Sequence, residues 1–156
     1  MTFSFSALYE LCCDFYDEIE TITQKTNHFL EQFHTEERFR FFDAKQIKKQ
    51  YLPPYGTLVS SLLSSLERSD RLALRLTALL ESADTPDASD QMPRIAALWE
   101  AYEQYRAALD EFLTCSKRYF SDEEVMATKG TAPLVLATRT LLASQKEAQK
   151  CFRSNL

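Results

Sequence analysis

The chain has 156 residues, of which 45% are hydrophobic and 26% charged, and a formal net charge of −5. Those proportions belong to a folded chain rather than a disordered one, and the acidic balance speaks against general nucleic-acid binding, which runs on Lys and Arg neutralising phosphate. Only two glycines are present, where average usage would give about eleven, which argues against hairpin-rich sheets and glycine-lined phosphate loops.

Apolar residues fall at Phe5, Leu8, Cys12, Phe15, Ile19, Ile22, Phe29 and Phe33, with Thr26 the one polar entry in a strict 3,4 spacing. That pattern predicts one helix of about 30 residues whose stripe must lie against other helices. The stripe loses phase near His34, because its continuation would fall on Glu37 and Arg40. Thr35 followed by Glu36 and Glu37 reads as a fresh N-cap and predicts a short helix over 36–51. Pro53-Pro54-Tyr55-Gly56 then predicts a turn.

A further helix is expected over 57–82, with Val59, Leu62, Leu66, Ala73, Leu76 and Leu80 on its stripe and Ser69 the exception. The polar residues 84–91, which include Pro86, read as a loop. Pro93 suits the first turn of a helix over 92–120, whose stripe runs from Ile95 to Tyr119 and is broken only by Ser116. Ala101, Ala108 and Cys115 line one flank of that helix, where small side chains let a neighbouring helix approach closely. Ser121 and Glu124 have the spacing of a capping box, opening a short helix that ends at Gly130. The last helix, 132–153, carries a shallower stripe of Leu134, Ala137, Leu141, Leu142, Ala148 and Phe152, with Ser144 in the seam. It is expected to be the least buried long helix and to leave a face for a partner helix or a second copy.

These elements predict an all-α, up-down four-helix bundle with one or two additional short helices, in a single domain over 1–156. No run of 18 apolar residues predicts a transmembrane helix. The start, Met-Thr-Phe-Ser-Phe, lacks the basic region of a signal peptide, so a cytoplasmic location is expected.

Little in the sequence points to catalysis. Cys12, Cys13, Cys115 and Cys151 lie within helical pattern, without a C-x-x-C pair, and read as small hydrophobes. His28 and Glu31 stand three apart, in the reverse of the Glu-x-x-His order of di-iron bundles and without a second copy. Glu100 and Glu103 form a lone Glu-x-x-Glu. No nucleophile elbow, P-loop or dinucleotide fingerprint is present. No catalytic, cofactor-binding or metal-binding residue is therefore assigned, and no cofactor is expected.

The informative stretch outside the stripes is 38–55. Arg38, Phe39, Arg40, Phe41, Phe42, Lys45, Lys48, Lys49, Tyr51 and Tyr55 mix aromatic and basic residues, the types enriched at interface hot spots. Three phenylalanines within four residues cannot share one helix face, since residues two apart point about 200° from each other. The stretch reads as a partner-docking site, as a basic amphipathic helix on an anionic membrane surface, as a local nucleic-acid contact, or as a helix sandwiched inside the fold with both faces in use. The expected function is a non-enzymatic protein–protein interaction module. The alternatives are a self-assembling structural subunit and a cofactor-free enzyme. In size and charge the chain resembles small acidic helical adaptors, secretion chaperones and inhibitors, without sharing a motif with them.

Overall fold

Five helices account for nearly all of residues 5–35, 43–81 and 91–154, which are the residues the computed structural model describes, and no strand occurs among them. They are α1 (Phe5–Thr35), α2 (Ala44–Glu81), α3 (Met92–Phe120), α4 (Glu123–Lys129) and α5 (Ala132–Ser154). The four long helices form a closed square: α1 packs on α2, α2 on α3, α3 on α5, and α5 back on α1.

Specific pairs fix the directions. Glu18 and Asp14 on α1 meet Arg68 and Arg75 on α2, so the numbering falls on one helix as it rises on the other. Asp70 and Tyr55 on α2 meet Tyr102 and Ser116 on α3 in the same opposed sense. Tyr119 reaches the Gly130 carbonyl just before α5, while Cys151 near its far end lies against Ala97. Each neighbour is therefore antiparallel, giving the up-down bundle expected from short connections.

The α1 stripe is buried from Leu8 to Phe33, with Thr26 included. Thr26 is tolerated there because its hydroxyl donates to the Ile22 carbonyl at 3.0 Å. Phe15 stacks on Phe152 of α5 at 4.6 Å between ring centres, closing the square across its last side.

The second long helix differs from the sequence expectation. No turn interrupts Pro53-Pro54-Tyr55-Gly56; α2 runs through both prolines as one 38-residue helix. Its buried face keeps a single phase across them, through Ile47, Tyr51, Leu58 and Leu62. Two missing N–H donors cost less than withdrawing that face from the core would. The carbonyls left without a donor are those of Lys49 and Gln50, at exposed positions where water serves. The start of α2 is set by Asp43, whose side chain accepts from the Gln46 amide at 2.9 Å while its own amide donates to the Gln46 side chain. The helix expected over 36–51 is thus, from Ala44 onward, the first part of α2. Residues 36–42 and 82–90, including most of the expected 84–91 loop, lie outside the described set.

Two further boundaries move slightly. The cap of α4 is Asp122 rather than Ser121, with Asp122 Oδ1 accepting from the Val125 amide at 3.1 Å. Ser121 closes α3 instead. Gly130 ends α4 with φ of 61°, a conformation that favours glycine. The last helix is also more deeply set than expected. Its seam is Leu134, Thr138, Leu141, Gln145, Ala148 and Phe152, a strict 4,3 spacing with two polar members. The least buried long helix is α2, with 8 buried residues in 38.

Of the two, Thr138 donates its hydroxyl to the Leu134 carbonyl at 2.8 Å, while Gln145 belongs to a polar layer. The register set by the pairs above brings Thr23 of α1, Ser65 and Ser69 of α2, Tyr105 of α3 and Gln145 of α5 to one level of the bundle, all buried. The Tyr105 hydroxyl faces Ser65 and Gln145. None of the hydroxyls in this layer, nor the Gln145 amide, reaches hydrogen-bonding geometry with another described group.

Candidate functional site

The aromatic-basic stretch divides into three parts. Arg38, Phe39, Arg40, Phe41 and Phe42 lie outside the described residues. Lys45 and Lys49 are exposed on the first turns of α2, and Lys48 pairs with Glu123 of α4 at 2.8 Å. Tyr51 belongs to the interior, which corrects its assignment to a partner surface, and Tyr55 is half-buried against the core. Tyr51 is buried and stacked on Phe33 at 4.5 Å. The Tyr55 ring packs at 4.6 Å from that of Phe120, and its hydroxyl lies 2.7 Å from Ser116 Oγ. At helical spacing the aromatic members at 51 and 55 share the buried face of α2, while the lysines take the other sides.

Of the groups considered for chemistry, His28 is exposed on a groove of about 520 Å³ between α1 and α2, together with Lys25, Gln32, Pro54 and Ser61. Cys12 is buried, and burial pushes its thiol pKa up to about 11. All four cysteines are free. Among the described residues no three His, Cys, Asp or Glu side chains gather as metal ligands would. No helix among them is long and apolar enough to cross a membrane.

The most site-like surface is a trough on the outer side of the α3/α5 pair. Two sequence features that were legible separately meet there. One is the small-residue flank of α3, with Ala101, Ala108 and Cys115; the other is the weakly apolar side of α5, with Pro133, Ala137, Ser144 and Cys151. Both carry a second 3,4 spacing, about a quarter-turn or more from the core seam. Small side chains let α5 approach α3 closely, bringing Cys151 Sγ to 3.8 Å from the Ala97 carbonyl oxygen, and they leave a depression above the contact.

The trough has two parts, end to end. Towards α4 lies an apolar depression of about 340 Å³ lined by Ala108, Phe112, Cys115, Pro133, Leu136 and Leu141. Leu136 stands on its edge with 68% of its surface exposed. Towards the far ends of α3 and α5 lies a more polar depression of about 600 Å³, with Glu100, Gln104, Ser144, Glu147 and Cys151 on its walls. Glu111 accepts the Cys115 thiol proton at 3.1 Å, which raises the pKa of that thiol. Burial, then Glu147 and Glu100, raise that of Cys151. Neither cysteine is thereby an activated nucleophile, since activation requires a lowered pKa.

No family model, curated protein or solved structure matches this chain.

Proposed function

We propose that the protein is a non-enzymatic, cytoplasmic binding module of the adaptor, chaperone or inhibitor type that holds another protein along the α3/α5 trough. The observation that carries this reading is the apolar depression beside Leu136, a large aliphatic side chain left two-thirds in water at the edge of a concave surface. Such a pairing of a pocket with an exposed apolar neighbour is how partner-binding grooves on small helical proteins are built. The aromatic-basic stretch, with Lys45 and Lys49 exposed on α2, supplies a second contact in this proposal.

The test is affinity capture from the native source with the wild-type chain, with Leu136→Asp, and with Arg40→Ala/Phe41→Ala. Leu136 is exposed, so its replacement is expected to leave helicity and melting temperature unchanged. The proposal expects Leu136→Asp to lose partners that the wild type enriches. Identical recovery by wild type and Leu136→Asp would refute the trough, and loss with the Arg40/Phe41 pair alone would assign the contact to the aromatic-basic stretch instead.

A second reading, a self-assembling structural subunit, is favoured by a different feature. Leu52, Leu63 and Leu74 recur every eleven residues along one side of α2 and are 41%, 51% and 72% exposed. An eleven-residue step keeps a helix position within about 20° of the previous one, so the three form a line. Light scattering at high concentration decides this reading, and a monomer would count against it.

A further inference from the structure

The walls of the trough are charged in one sense. Glu100 and Glu111 come from α3 and Glu147 from α5; all three are exposed, and no Lys, Arg or His lines either depression. The α5 cations Lys146, Lys150 and Arg153 instead line the cleft with Tyr16 and Glu20 of α1. Arg118 is the one cation whose field is felt at Cys115, at the α4 end. Glu111 holds a hydrogen bond from the Cys115 thiol in one depression, and Glu100 and Glu147 stand with Cys151 on the walls of the other.

We propose that the trough takes a cationic amphipathic helix presented by a partner protein, with small or aliphatic residues against the floor and Lys or Arg against Glu100, Glu111 and Glu147. This rests on the trough reading above and names the partner's chemistry. A helix suits the surface because α3 and α5 already satisfy their own backbone groups and offer no edge to a strand. The half-buried Ala101, Ala108, Ala137 and Ser144 leave room for a helix axis at ordinary packing distance. The span from Ala97 to Tyr119 is about 33 Å, the length of a helix of roughly 20 residues. The carboxylates on the rim select the sign of the partner's flanks more than they add to its affinity.

The test uses two synthetic helices of about 20 residues with Ala and Leu at 3,4 spacing, one flanked by Lys and the other by Glu at the same positions. Each is titrated calorimetrically into the 156-residue chain. At about 50 mM salt the Lys helix is expected to bind at least tenfold more tightly than the Glu helix, with the gap narrowing towards about 500 mM as screening shortens. The variant Glu100→Gln/Glu111→Gln/Glu147→Gln is expected to erase the preference. Glu10→Gln/Asp17→Asn/Glu124→Gln, which removes the same charge elsewhere, is expected to keep it. Failure of the Lys helix to bind overturns the inference, as does equal loss of preference in both triple variants, which would make the attraction diffuse. If both helices bind alike and Leu136→Asp weakens both, the inference about charge falls while the trough stands.

Discussion

The Tyr55 hydroxyl lies 2.7 Å from Ser116 Oγ, joining α2 to α3 immediately after the proline pair. Ser116 is the residue that interrupts the apolar stripe of α3. Its own hydroxyl also lies 2.6 Å from the Phe112 carbonyl oxygen, so it links a helix turn to the neighbouring helix. Tyr55→Phe and Ser116→Ala are each expected to destabilise the bundle by about 1 kcal/mol, the net worth of one such hydrogen bond. The double variant should cost less than the two together, by about 0.5 kcal/mol or more, because the same bond is removed only once. Denaturant unfolding of the four proteins measures this. Strict additivity would show that the two hydroxyls do not interact.

Replacing a turn-forming proline harms a turn, whereas replacing a proline inside a helix restores a hydrogen bond. Pro53 is exposed within α2, so Pro53→Ala is expected to stabilise the protein by about 1–3 kcal/mol. Gly56 sits in the same helix with open space where a Cβ would go, and Gly56→Ala is expected to add about 0.5–1 kcal/mol. Thermal unfolding reads both. A lower melting temperature for either variant would restore the turn that the sequence suggests.

Alkaline pH should loosen the bundle through its buried phenols. Burial, reinforced by the hydrogen bond to Asp70, pushes the Tyr102 pKa up to about 12, and burial pushes Tyr105 to about 12. Above pH 10 the unfolded chain releases phenolic protons that the folded chain keeps. The stabilisation is therefore whole below pH 10 and is lost as pH climbs towards 12. For the fully buried Tyr105 the slope is about 1.4 kcal/mol per pH unit within that window. Melting temperature and tyrosinate absorbance followed together should fall and rise in step, and Tyr105→Phe should flatten the decline. A melting temperature constant from pH 9 to pH 12 would contradict the burial of these side chains.

Much of this architecture was legible because 3,4 spacing and helix-end chemistry are local. The limits of α3 follow from Pro93 and the stripe ending at Tyr119 and Phe120, and Gly130 marks the end of α4 by its backbone freedom alone. The errors arise where a distant contact decides. Pro53-Pro54 reads as a turn until Tyr51, Tyr55 and Leu58 are seen to be held by α1 and α3. The α5 seam looks shallow because Thr138 and Gln145 occupy it, and a polar residue gives no apolar signal even when fully buried. Tyr51 and Tyr55 are close to the lysines in sequence, although helical rotation turns the tyrosines towards the core and Lys45 and Lys49 towards water. The trough was visible only as two unrelated weaknesses, because nothing local says that the small side of α3 and the thin side of α5 face each other.

The level occupied by Thr23, Ser65, Ser69, Tyr105 and Gln145 bears on why the chain chooses one arrangement. Four ridges of Leu, Ile and Phe are nearly interchangeable along their lengths, and a rod shifted by one turn would still meet hydrocarbon with hydrocarbon. Such a shift would carry these hydroxyls and the amide away from each other and against purely aliphatic neighbours, removing the shared polar surroundings that offset part of the cost of their burial. The waist of the bundle thus works as an index mark: it gives up some cohesion and leaves the sliding alternatives worse off than the native alignment.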